Sequence, residues 1–90
     1  MEIHDNVAER RYEVTVEGHL CVLDYVRSSD TLRIDHVGVP GPVEGRGIAA
    51  ALAAAALNAA RVEGLRVQPR CGYVVGYLQR HPEYADLVSE

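Results

Sequence analysis

Ninety residues carrying a net charge of −4, 48% of them apolar and 24% charged, describe one folded domain over residues 1–90, too short for a second core and too apolar for a disordered chain. All nine basic residues are arginines spread singly or in pairs, so there is no basic face for nucleic acid. No run approaches the ~18 apolar residues of a membrane span, and the acidic start "MEIHDN" is unlike a signal peptide, which makes the cytoplasm the expected compartment.

The first predicted element is "RYEVTVE", Arg11 to Glu17, where Tyr12, Val14 and Val16 alternate with polar residues. That period of two specifies a half-buried antiparallel strand. Gly18-His19 turns into a second strand, "LCVLDYVR", rich in β-branched and aromatic residues, and Ser28 to Asp30 turns again. The third strand, Thr31 to Val39, starts with Leu32 and Ile34 inward, but Val37 and Val39 stand at odd spacing from Ile34. Either a β-bulge near Asp35 to Gly38 slips the phase, or this strand is buried on both faces.

A loop, "VPGPVEGRGIA", then leads into an alanine-rich helix from Gly45 or Arg46 to Glu63, with Ile48, Leu52, Ala55, Ala59 and Val62 at helical spacing and Gly64 placed as a left-handed cap. The short strand "LRVQ", Leu65 to Gln68, follows so closely that it pairs parallel to the third by a right-handed crossover, and Pro69 ends it. Gly72 to Arg80 forms the last helix, before His81-Pro82. The fold class is α/β (α+β): a three-strand antiparallel meander extended by a βαβ unit and a short C-terminal helix.

A strand, a glycine-rich turn and a helix N-terminus together make an anion site, because the first-turn amides lack intrahelical partners and the helix dipole adds positive charge. The same glycines would equally serve a tight β-to-α turn. A P-loop needs Gly-Lys-Ser/Thr, which is absent. Gly45-Arg46-Gly47-Ile48-Ala49-Ala50 matches the dinucleotide fingerprint, but the next strand, "LRVQPR", ends without the acidic residue that fold requires.

"EGRGIA", Glu44 to Ala49, after a strand ending "HVGVP", resembles the pyrophosphate loop of GNAT-type N-acetyltransferases, [Gln/Arg]-x-x-Gly-x-[Gly/Ala], with Gly47 and Ala49 at its small positions and Glu44 in place of its first residue. Together with "ARVEGLRVQPRC" and "LQRHPEYADLV", the chain from about Tyr12 to Val88 resembles the minimal single-domain members of that group, which lack the N-terminal helices of larger relatives. The resemblance implies binding of acetyl-CoA or CoA between the third and fourth strands, and transfer of an acetyl group to an amine acceptor that the sequence leaves unidentified. The implied cofactor-binding residues are Val37, Val39, Gly45, Arg46, Gly47, Ile48 and Ala49, with Arg80 near the phosphates and Tyr84 at the adenine end; Arg46 and Arg80 read equally as solvated arginines, and Tyr84 as a residue that pins the last turn.

The resemblance also implies Cys71 and His36 as the groups beside the cofactor thiol. Cys71 opens a helix, where the dipole favours a thiolate; by itself it reads as a small core residue. His36 would be the general base of a direct attack, or else an ordinary strand histidine. Cys21, between Leu20 and Val22, reads as packing, and a disulfide with Cys71 is not expected in a reducing compartment. The histidines stand at no metal-ligand spacing with the cysteines, so no metal is expected. Tyr73 and Tyr77 share a helix face and read as packing, the other reading being a tyrosine that protonates the departing CoA thiolate. The other functional reading is a CoA-binding or interaction module without turnover.

Overall fold

The computed structural model describes residues 1–89. Five strands form one sheet in the order β1-β2-β3-β4-β5: β1 (His4–Asn6), β2 (Arg11–Val16), β3 (His19–Arg27), β4 (Thr31–Gly38) and β5 (Arg66–Pro69). Neighbours are antiparallel except β4 and β5, which are parallel. Helix α1 (Ile48–Glu63) connects β4 to β5, and α2 (Gly72–Arg80) follows β5. No helix among the described residues is long and apolar enough to cross a membrane.

The alternation in β2 and β3 places Tyr12, Val14, Cys21, Leu23 and Tyr25 on one buried face. Leu32 and Ile34 of β4 and Val67 of β5 extend that face, and α1 covers it with Ile48, Leu52, Ala53, Ala56, Leu57 and Ala60. Burying each larger aliphatic side chain contributes about 1.5–3 kcal/mol. Alanine at 53, 56 and 60 leaves the helix backbone nothing to hold it off the sheet. The expected helix face was rotated: Val62 is 87% exposed, and Ala55 and Ala59 are only half-buried. In a run of alanines the hydrophobic phase is carried by too few bulky residues to fix the buried stripe.

Strand β1 corrects the expected four-strand sheet. It has no alternating apolar pattern, and non-local bonds hold it: the Asn6 amide donates to Glu13 Oε1 (3.0 Å) and Asp5 Oδ1 accepts from the Tyr25 hydroxyl (2.5 Å). The β2–β3 turn also sits one residue earlier than expected, at Glu17-Gly18, both with positive φ (49° and 78°), the requirement of a two-residue hairpin turn whose twist suits its strands.

Two irregularities shape the sheet where function is expected. The β3–β4 register runs Tyr25 with Ile34 but Asp24 with His36, so Asp35 is the extra residue of a bulge. This resolves the phase slip of β4. Leu23 faces Val37, which stays on the helix-covered side, whereas Asp24 and Val22 face His36 and Gly38 on the opposite, outer side. Beyond Ile34, which pairs with Pro69 and accepts from the Arg70 amide (2.9 Å), β5 turns away into α2. Residues 36–38 of β4 therefore have a strand partner only in β3, and the sheet opens beside them. The far edge of β5 is covered instead: Val88 bridges to Val67, and the Ser89 amide donates to Val67 O (2.8 Å).

Candidate functional site

The loop between β4 and α1 is held from below by one side chain, the fully buried Val43. Around it Pro40 is extended (φ −59°, ψ 145°) and Gly41–Val43 makes a single 3-10 turn, closed by the Glu44 amide to Gly41 O (3.1 Å). Gly45 and Gly47 both take the left-handed conformation (φ 78° and 76°), which a residue with a Cβ adopts only under strain. Gly47 is the N-cap of α1 and supplies no side-chain cap to the first-turn amides.

Those amides open into a cavity of about 460 Å³. One wall is the open half of β4, with Val37 and Val39; Glu44, Gly45 and Gly47 form the loop side; Ile48, Ala49 and Ala50 come from α1; and Tyr73 closes the cavity from the first turn of α2. Gly47, Ile48, Ala49 and Ala50 are the residues whose N–H groups have no intrahelical acceptor. All of them line the cavity, their side chains are small apart from Ile48, and the first turn of α1 carries no acidic residue. The concave surface thus combines apolar walls with a cluster of unpaired backbone donors at the positive end of a sixteen-residue helix.

The charges around the cavity are arranged against expectation. Glu44 is the one charged side chain in the lining. Arg46, the arginine of the loop, turns the other way and donates from Nη1 to Glu17 Oε2 at the β2–β3 turn; this bond, together with the arginine's charge, holds the Glu17 carboxyl below its ordinary value. No group of three or more His, Cys, Asp or Glu side chains is placed to hold a metal among the described residues.

A family model for GCN5-related N-acetyl-transferases matches residues 11–87. The chain belongs to the GCN5-related N-acetyltransferase family. The fold of this GCN5-related protein also matches an NMR solution structure of a GCN5-like candidate N-acetyltransferase from Staphylococcus aureus, with a TM-score of 0.75 and 25% sequence identity over 98% of this chain and 87% of that one. A search of curated proteins finds no match.

Of the residues singled out in the sequence of this GCN5-related chain, Val37, Val39, Gly45, Gly47, Ile48 and Ala49 meet at this cavity. Arg46 belongs to the same loop but points to Glu17. Arg80 is exposed in the last turn of α2, outside the lining. Tyr84 is also outside it: its hydroxyl donates to Asn58 Oδ1 (2.9 Å) and its ring lies 5.9 Å from the Arg61 guanidinium and 6.3 Å from the Tyr77 ring, so it fastens the C-terminal turn to α1 and α2. Cys71 is the half-buried N-cap of α2, with a free thiol, and His36 is exposed on the outer face of β4; neither lines the cavity. Cys21 is fully buried, as expected of a packing residue.

Tyr73 is the residue whose place the sequence concealed. Its i, i+4 spacing to Tyr77 reads as packing, and the two rings do lie 6.4 Å apart, yet only Tyr77 is buried while Tyr73 faces the cavity. The available signal was its position two residues after Cys71, at a helix start that must face whatever part of β4 the short β5 leaves uncovered.

Proposed function

We propose that this protein binds acetyl-CoA and transfers its acetyl group to an amine. The observation that carries the reading is the coincidence of the four unpaired amides of Gly47 to Ala50 with the wall of the cavity beside the open half of β4. A diphosphate fits such a cradle, because backbone N–H donors at a helix N-terminus bind anionic oxygens without needing a cation. Gly45 and Gly47 let those oxygens approach the chain, and Val37, Val39 and Tyr73 give an apolar channel for the arm that follows. The cavity lies on the helix side of β4 and His36 on its outer face, so in this reading a cofactor and an acceptor would meet from opposite sides of the half of β4 that β5 leaves unpaired.

Acetyl-CoA, when bound, supplies an acyl group activated as a thioester. In this reading His36 takes the proton of the attacking amine at its outer-face imidazole as the N–C bond forms and the C–S bond breaks, the CoA thiolate being the leaving group that a proton then neutralises. Cys71 supports a two-step variant: its sulfur forms an S–C bond to the acetyl group as the first C–S bond breaks, and the amine then displaces the cysteine. Intact-mass measurement after incubation with acetyl-CoA distinguishes the two, since an acetyl adduct abolished by Cys71→Ser belongs only to the second.

Calorimetric titration with CoA is the test of the site itself: a saturable isotherm is expected, and no heat at millimolar CoA sinks the proposal. Glu44 favours a second reading, a CoA-binding module without turnover. A carboxylate on the cavity wall and an arginine directed elsewhere reduce attraction for a polyanion. CoA binding with neither an adduct nor thiol release in the presence of primary amines would select it.

A further inference from the structure

Gly38 is the last residue of β4 and pairs with Val22, and a glycine in a paired strand often marks a close approach to the backbone. Its backbone does not explain it, because Gly38 is absent from the positive-φ residues and any amino acid could adopt its extended conformation. Space does explain it. A Cβ at position 38 would stand 2.9 Å from His36 Nε2, 3.7 Å from His36 Cδ2 and 3.6 Å from Val22 Cγ2. The first distance is shorter than van der Waals contact allows. The His36 imidazole therefore lies down along the outer face of β4, in the volume that a side chain at 38 would occupy.

The bulge at Asp35 makes this arrangement possible. It puts His36 and Gly38 on the same outer face, opposite Asp24 and Val22 of β3, and on the half of β4 that β5 leaves uncovered. We propose that Gly38 is the positioning residue of His36: by lacking a side chain it leaves the volume in which the exposed imidazole lies along the strand, with Nε2 over position 38. This rests on the reading of His36 as the base in acetyl transfer. It adds that the orientation of the base is set by a neighbour that touches neither cofactor nor acceptor.

The substitution Gly38→Ala tests the seat without endangering the fold. The clashing atom belongs to the end of a side chain that can swing aside, and alanine suits an extended backbone better than glycine. Nuclear Overhauser spectra of the full-length protein should show cross-peaks from the His36 Cδ2 proton to the Gly38 α-protons. In Gly38→Ala the cross-peak from that ring proton to the α-proton of residue 38 should vanish while those between the Tyr12 and Tyr25 rings persist. An imidazole that keeps its cross-peak to the residue 38 α-proton in Gly38→Ala overturns the proposal.

The consequence is read from thiol release with acetyl-CoA and a panel of primary amines. Gly38→Ala and His36→Ala should each lower kcat about tenfold or more with the acetyl-CoA KM within about twofold, and the double variant should be no slower than His36→Ala. Losses that multiply in the double variant overturn the proposal, because Gly38 would then act independently of His36. Full turnover in His36→Ala, or none in the unsubstituted protein, instead rejects the catalytic reading of the site, and the cross-peak to the residue 38 α-proton still decides where the imidazole sits.

Discussion

Glu17 and Arg46, twenty-nine positions apart, are joined by a hydrogen-bonded ion pair that ties the β2–β3 turn to the loop in front of α1. The pair takes the loop's cation away from a cavity whose lining carries a carboxylate. Both side chains are well exposed, so the pair matters little to folding, but it competes with any anion for Arg46. Glu17→Gln should therefore tighten CoA binding about three- to tenfold at low ionic strength, and the gain should fade near 0.5 M salt as screening removes the long-range attraction. Titration calorimetry at two salt concentrations measures this; equal affinities for the two proteins at low salt refute it. The carboxyl of Glu17 is depressed by Arg46, so the pair is intact above the ordinary carboxylate value of 4.5 and is lost only as pH falls through the lower folded value.

Gly47 holds φ 76° as the N-cap of α1. Gly47→Val should destabilise the protein by about 1–3 kcal/mol through backbone strain alone, since open space surrounds the added Cβ. The same change turns the first-turn amides and should weaken CoA binding at least tenfold. Thermal unfolding and calorimetry on one preparation check both effects, and an unchanged melting temperature would contradict the first.

Tyr25 is the hub of a polar group at the other end of α1. Its hydroxyl donates to Asp5 Oδ1 (2.5 Å) and accepts from Arg27 Nη1 (2.9 Å), while Arg27 Nε also donates to Glu63 Oε1 (3.0 Å). Burial of the ring first, and the bond to Asp5 second, push the phenol up to about 12. A raised acid stabilises the fold fully below its unfolded value of 10, and that contribution disappears as pH rises through 12. Tyr25→Phe should cost about 1 kcal/mol at neutral pH, and its deficit against the unsubstituted protein should shrink between pH 10 and 12. Urea unfolding at pH 7 and pH 11 is the measurement; a constant difference would show that the hydroxyl's protonation is not coupled to folding.

Ala56 has no exposed surface, whereas Val62 is 87% exposed. Ala56→Leu should force α1 off the sheet and cost about 1–3 kcal/mol, while Val62→Gln should stay within about 0.5 kcal/mol of the original. Chemical denaturation ranks them, and the reverse order would mean that the buried stripe of α1 had been assigned to the wrong face.

The elements with their own periodicity were legible. Tyr12, Val14 and Val16 announce β2, and the displaced spacing of Ile34 and Val37 announces a phase slip in β4, which periodicity alone left open between a bulge and a strand buried on both faces. Alanine gave no such phase to α1, and His4–Asn6 gave none to β1, whose partners Glu13 and Tyr25 are distant in the chain. At the cavity, the glycines and the β-to-α order predicted where the helix amides open. What could not be read locally was direction: Arg46 turns to a glutamate from another hairpin, and Tyr73, not Tyr84, faces the cavity, because those choices depend on where β5 stops.

The extra residue in β4 also has a meaning for the gene. It works like a frame correction in the strand: residues before Asp35 count sides from Leu32, and residues after it count from Val37. Deleting Asp35 would leave every neighbour on its present side, whereas deleting Arg33 would transfer Leu32 and the residues before it to the opposite face. Single-residue length change in β4 is thus tolerable to sidedness at one place, and that place lies immediately before the residues that divide the cavity from the outer face.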